Sequence, residues 1–171
     1  MLAKPQADEL LEAQYEQYYK RLYNYFYFRI GNHHDAEDLT ETVFEKVIEK
    51  YPKFDAARSP FDVWMFTIAR NSLIDFTRKI RTEELPENAL ANSNPERNVL
   101  ENERDRALAD AVAELPEKEQ NILTMKYFAR LKNKEIAQIL GYSRTNINVI
   151  LHRALKKLRV ILSEKGGEFY E

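Results

Sequence analysis

Between residues 8 and 30 the chain places apolar side chains at Leu11, Tyr15, Tyr18, Leu22, Tyr25, Phe26 and Ile30, with no glycine or proline until Gly31. Spacings of three and four residues gather these side chains on one face of an α-helix, whereas a strand would send alternate ones to opposite sides. One long helix is therefore expected over 8–30. The same period recurs in "DAEDLTETVFEKVIEKYP", with Leu39, Val43, Phe44 and Val47 as the inner face. Asp35 is a suitable N-cap there, acidic residues in the first turn complement the helix dipole, and Pro52 ends the run. A third helix is expected after Pro60. Its sequence "FDVWMFTIARNSLIDFTRK" is apolar almost all round, so neighbouring helices must cover much of it, leaving Arg70, Asn71, Asp75, Arg78 and Lys79 as polar exceptions.

From Thr82 to Pro95 the text changes to "TEELPENALANSNP", acidic, polar and marked by two prolines, which reads as a linker. A helix near 96–114 follows. In "LPEKEQNILTMKYFAR" Pro116 suits the first helical position, and Glu117 and Glu119 suit the first turn. There is no internal repeat and no alternating pattern long enough for a strand. The expected fold is all-α: a helical bundle over 8–81, a flexible linker over 82–95, and a second small bundle over 96–165. Composition agrees, with four glycines among 171 residues and 32% charged side chains.

Other numbers exclude function classes. No cysteine is present, so disulfides and thiolate zinc sites are impossible. No apolar run reaches the roughly 18 residues a membrane helix needs, and the opening lacks the apolar stretch of a signal peptide, so a cytoplasmic protein without membrane insertion is expected. The net charge of −2 hides segregation: 3 basic residues stand against 8 acidic ones over 82–113, but 11 against 7 over 114–171. A basic block behind an acidic spacer points to two units with different partners, one of them polyanionic; solvated helix faces would give the same count.

The basic block contains "NKEIAQILGYSRTNINVILHRALKKL" at 133–158. A short helix ends at Gly141, which can take the positive φ of a tight turn, and a second helix begins after Ser143, a favourable N-cap. Ala137 is small where the helices would cross, and Ile136, Leu140, Ile147 and Ile150 would lock them into a helix-turn-helix. Leu151, Leu155 and Leu158 continue the buried stripe of the second helix. Arg144, Thr145, Asn148, Val149, His152, Arg153 and Lys156 remain on or beside its free face, where asparagine suits adenine edges, arginine suits guanine and apolar groups suit thymine methyls. Lys156, Lys157 and Arg159 would suit phosphates. A helical hairpin with a solvated face is the alternative. So few cations imply weak DNA binding by this unit alone, and hence a second contact or a larger partner.

The segments at 35–47 and 61–79 resemble region two of the sigma-seventy family of bacterial transcription initiation factors, and 115–158 resembles region four. Two regions in order, an acidic spacer and a short chain are similar to the extracytoplasmic-function (ECF) group. The resemblance implies a sigma factor that binds core RNA polymerase and promoter DNA, needs no cofactor, and is held inactive by an anti-sigma factor. By that resemblance Asp35, Glu37, Asp38, Leu39, Thr40 and Phe44 would dock on polymerase. Lys53, Phe54, Arg58, Ser59, Arg70, Asn71, Arg78 and Lys79 would take the minus-ten element, and the free face of the helix-turn-helix the minus-thirty-five element. Phe54, Phe61, Trp64, Phe66 and the tyrosines from 15 to 27 read first as packing residues. Glu41 and Thr42 stand where relatives commonly carry a Gln-Glu pair.

Two other classes compete. "NHHD" at 32–35 superficially matches metal phosphohydrolases, but only His152 remains elsewhere as a further histidine. A two-domain DNA-binding regulator that never joins polymerase would share the helix-turn-helix.

Overall fold

The computed structural model describes residues 4–83 and 99–166. Within them the chain is helical throughout: α1 (Lys4–Ile30), α2 (His33–Lys50), a 3-10 turn (Tyr51–Lys53), α3 (Phe61–Thr82), α4 (Val99–Ala113), α5 (Glu117–Tyr127), α6 (Asn133–Leu140) and α7 (Arg144–Glu164). Most of the expected linker, from residue 84 onward, lies outside the described residues; its first residue, Thr82, closes α3.

Two starts differ from expectation by a few residues. The N-cap of α2 is Asn32, not Asp35: the Asn32 side chain accepts the Asp35 backbone N–H at 3.0 Å, so Asp35 lies inside the first turn. Both are good capping residues, and the earlier one starts the helix directly after the left-handed Gly31. Pro116 likewise stands at the N-cap of α5 rather than in its first turn, which begins at Glu117. The tight turns match their sequence signals. Gly31 and Gly141 have φ of 69° and 72°, and the Ser143 hydroxyl accepts the Asn146 backbone N–H at 3.1 Å. Between α5 and α6 the left-handed residue is Arg130, at φ 56°, an uncommon choice for a side chain with a Cβ.

α1, α2 and α3 form the first bundle, with Leu22, Tyr25, Phe26, Val43, Val47, Met65 and Phe66 fully enclosed. α4 to α7 form the second, where Ala111, Val112, Leu115, Leu123, Ala154, Leu158 and Leu162 make a cluster of their own. The larger cluster crosses from one bundle into the other, joining Tyr25, Phe26 and Phe66 to Met125, Ile136 and Ile147. α1 lies against both α4 and α5, and α3 against α6. At the junction Phe28 stacks on Phe128 with centroids 3.7 Å apart. Arg21, buried, donates from Nε to the Ala129 carbonyl at 2.8 Å and from Nη2 to Asp62 at 3.0 Å. The Tyr18 hydroxyl donates to the other Asp62 oxygen at 2.8 Å.

Burial first, and the hydrogen bond to Asp62 second, push the Tyr18 phenol up to about 12; burial does the same to Tyr25. The neutral phenol is favoured in the fold. Its contribution is complete below the unfolded value of about 10 and disappears as pH rises toward 12. The urea midpoint should therefore hold steady to pH 9.5 and fall between pH 10 and 12, and less steeply in Tyr18→Phe; an unchanged slope in that variant would contradict the assignment. In the same assay Phe66→Ala should cost about 3–5 kcal/mol. Gly141→Ala should cost about 1 kcal/mol, wholly from the positive φ, because a Cβ there meets open space.

Candidate nucleic-acid interface

α7 is anchored along one side by Ile147, Ile150, Leu151, Ala154, Leu158 and Leu162, all buried. Ile136 and Ala137 of α6 meet it from the preceding helix, with Leu140 half-buried beside them. The turn between α6 and α7 is short because Gly141 adopts the left-handed conformation and Ser143 caps the next helix. Every residue expected on the free face is exposed: Arg144, Thr145, Asn148, Val149, His152, Arg153 and Lys156. Among the described residues Arg144, Arg153 and Lys156 form no ion pair, so their charges face solvent. Val149 is 43% exposed, an apolar side chain presented outward beside hydrogen-bonding neighbours.

Two details were not visible in the sequence. The Asn133 amide of α6 donates to Asn148 Oδ1, which fixes the orientation of the most base-competent side chain on the face. Lys157, expected at phosphate, instead reaches the nearly buried Glu119 of α5 at 2.7 Å. A lysine that left Glu119 would strand a carboxylate in the interior, whereas Lys156 and Arg159 are exposed and form no ion pair among the described residues.

The second surface is on α2. Glu37 and Asp38 are exposed and Asp35 is half-buried, its carboxyl held above its ordinary value by burial. His34 Nε2 lies 3.5 Å from Asp38. Leu39, Thr40 and Phe44 face inward; the Thr40 hydroxyl donates to the Ala36 carbonyl at 2.7 Å, and Phe44 lies beneath Tyr15 and Tyr19. These three hold the acidic turn in place, and Glu37 and Asp38 project from it into solvent. Tyr15, Tyr19, Tyr23 and Tyr27 continue as a column of rings up α1, ending on His33. Their i,i+4 spacing was the signal for it.

The third set divides in two. At the start of α3, Tyr51, Phe54, Phe61 and Trp64 form an aromatic cluster, with Phe54 and Trp64 centroids 4.8 Å apart. Lys53 and Arg58 project beside it, Ser59 is half-buried, and Asp55 shapes the loop by accepting the Ala57 N–H at 2.9 Å. Phe66 belongs to the core, as read from the sequence. Further along α3, Asn71, Arg78 and Lys79 are exposed, with Arg78 tied to Asp75 at 3.1 Å. At 1.5 Å per residue Asn71 lies about 15 Å and Lys79 about 27 Å along α3 from Phe61, so together the two groups fit an extended ligand. Arg70 is the exception. It is half-buried and lines a cleft of about 190 Å³ with Glu117, Lys118, Asn121, Leu140 and Tyr142 of the other bundle.

Among the described residues no group of three or more His, Asp or Glu could hold a metal ion, and no helix is long and apolar enough to cross a membrane. Basic, aromatic and amide groups on open faces suit binding of a polyanion with readable bases.

Residues 14–83 match the family model for Sigma-70 region 2, and residues 105–158 that for Sigma-70, region 4. The chain is 31% identical over 156 residues to the ECF RNA polymerase sigma factor BldN of Streptomyces coelicolor, covering 88% of this chain and 59% of that one. It is 29% identical to the RNA polymerase sigma factor YlaC of Bacillus subtilis, covering 92% of this chain and 95% of YlaC. Its fold is similar to that of the sigma factor RpoE crystallised with the anti-sigma factor NepR from Bartonella quintana, with a TM-score of 0.69, 21% identity, and coverage of 94% and 98%.

Alanine at Arg144, His152 or Arg153 should move the unfolding free energy by no more than about 0.5 kcal/mol, whereas Ile147→Ala should cost about 2–5 kcal/mol. Thermal melts of the four variants check which side of α7 is structural. A large loss at Arg153 would refute the free face.

Proposed function

This chain belongs to the ECF group of the sigma-70 family, and from that membership we propose that it joins core RNA polymerase and directs it to start transcription at particular promoters. One observation carries the reading: both family regions occur in one chain, and the second presents an exposed helix face whose cations are unpaired. In this reading residues 8–81 and 96–165 are the two working units, with 82–95 as their connection.

Each unit has a role that its chemistry supports. α7 enters a major groove and reads the upstream element: Asn148 addresses adenine, Arg144 or Arg153 addresses guanine, and Val149 or Thr145 meets thymine methyls. Lys156 takes a phosphate. Lys53, Phe54, Arg58 and Ser59 receive a base of the downstream element, where stacking and edge hydrogen bonds offset the few kcal/mol needed to unstack it. Asn71, Arg78 and Lys79 follow the strand along α3, and Arg70 joins them. Glu37 and Asp38 pair with basic groups on polymerase, with Asp35 behind them. Tethering explains the modest basicity of α7, since a second contact linked to a first depends on effective concentration and not on its own affinity. No covalent chemistry is assigned to this chain; polymerase makes the bonds. The setting is the cytoplasm, where polymerase and promoters are, and an anti-sigma factor is the expected inhibitor, as NepR is bound to the similar RpoE.

Purified core polymerase with this chain should start RNA at discrete sites that core alone ignores. A DNA-binding regulator that never joins polymerase could not supply this activity. Asp38→Arg should abolish co-elution with polymerase while leaving the fold intact. Arg153→Ala should keep co-elution and weaken use of the upstream element by about 10–100-fold, the range of one lost base contact. Identical defects in the two variants would contradict the division of roles.

A further inference from the structure

The helix-turn-helix couples two asparagines that lie 15 positions apart. Asn133 opens α6, and Asn148 stands in the second turn of α7 on its exposed side. Ile136, one turn after Asn133, and Ile147, next to Asn148, are both inaccessible and hold the two helices together. The Lys132 backbone N–H donates to Glu135 Oε2 at 2.7 Å, which closes the first turn of α6 and sets where the Asn133 side chain leaves the helix. From there the Asn133 amino group donates to Asn148 Oδ1.

The direction of this bond follows from what surrounds Asn133. Its own Oδ1 is buried and has no partner among the described residues. Turning both amides round would put an amino group there and leave two donors unmet instead of one acceptor, and buried donors without partners are the rarer of the two. Asn148 is therefore held by its oxygen, and its amino group is the end left free. An amino group only donates. In the major groove guanine presents N7 and O6 as acceptors, adenine N7 and thymine O4, whereas cytosine presents only its N4 donor.

We propose that Asn133 is a specificity-determining positioning residue: by binding the Asn148 carbonyl it makes Asn148 a hydrogen-bond donor toward the upstream element and sets the protein against cytosine at that position. The proposal rests on the sigma-factor reading and deepens it, since adenine, the base Asn148 addresses in that reading, is reached through N7. Asn133 acts through Asn148 without touching a base.

The test inverts the anchor. Asn133→Asp keeps the size of the side chain and places a carboxylate in the first turn of α6, where the helix dipole favours it, so the fold is retained. A carboxylate only accepts, so Asn148 must turn its amino group inward and lead with its oxygen.

Transcription by core polymerase with the full chain, from a promoter pool randomised over the upstream element, reads the outcome. The native chain should use cytosine at one position about tenfold less than the other three bases, and Asn148→Ala should erase that preference and so identify the position. Asn133→Asp should raise cytosine and adenine over guanine and thymine there by about tenfold. Its added negative charge lowers use of all sequences alike and leaves this ranking untouched. In the free protein the side-chain amide protons of Asn133 should exchange with water severalfold more slowly than those of the exposed Asn71, and lose that protection in Asn148→Ala. An unchanged base ranking in Asn133→Asp, whatever the overall yield, would overturn the proposal, as would unprotected Asn133 protons. Failure of the sigma-factor reading looks different: the native chain would start no RNA from any member of the pool, and the base preference would fall with it even where exchange showed the pair intact.

Discussion

The arrangement depends on a buried guanidinium. A charge taken out of water is costly unless its hydrogen bonds are met, and Arg21 meets them with a carboxylate, a main-chain carbonyl and the faces of Tyr18 and Phe66, whose ring centres lie 5.2 and 5.0 Å from its central carbon. None of these partners is near it in sequence except Tyr18. By satisfying one side chain the chain fixes the start of α3, the turn after α5 and the phase of α1 together. The apolar contacts around it, Phe28 on Phe128 and Met125 beside the core of the first bundle, supply area; Arg21 supplies the register.

Sequence and structure agree best where the determining physics is local. Gly141 and Ser143 mark the turn of the helix-turn-helix because a positive φ and a side-chain cap are properties of one or two residues. The buried side of α7 follows from spacing alone, so its open side follows too. The α2 cap is a near miss of another kind: Asn32 and Asp35 are both competent, and periodicity cannot choose between caps three residues apart. The junction was not legible. Arg21 and Ala129 are 108 positions apart, and a charged residue in a helical stripe ordinarily reads as solvent-facing.

The site residues divide along the same line. On α7 the expected face and the observed face coincide, because one helix carries all of it. On α2 the family motif mixes exposed and buried residues. Glu37 and Asp38 point outward, but Leu39, Thr40 and Phe44 occupy the inner side that shapes the turn. Matching a motif identifies the turn without separating these two duties; burial separates them. Lys157 makes the same point, since its exposed side chain is paired with the nearly buried Glu119, a partner that the sequence did not reveal.

The 21 residues of α7 are supported along nearly their whole length on one side and free on the other. In the proposed reading, the angle at which the helix meets DNA is thus fixed by the scaffold, while the letters it reads rest with side chains on the exposed side. In that reading, changes at Thr145, Val149 or His152, all exposed, redirect such a protein to other genes without first having to survive a loss of folding. A lineage built on this plan can duplicate and diverge in target choice by small surface edits, each neutral to the architecture beneath it.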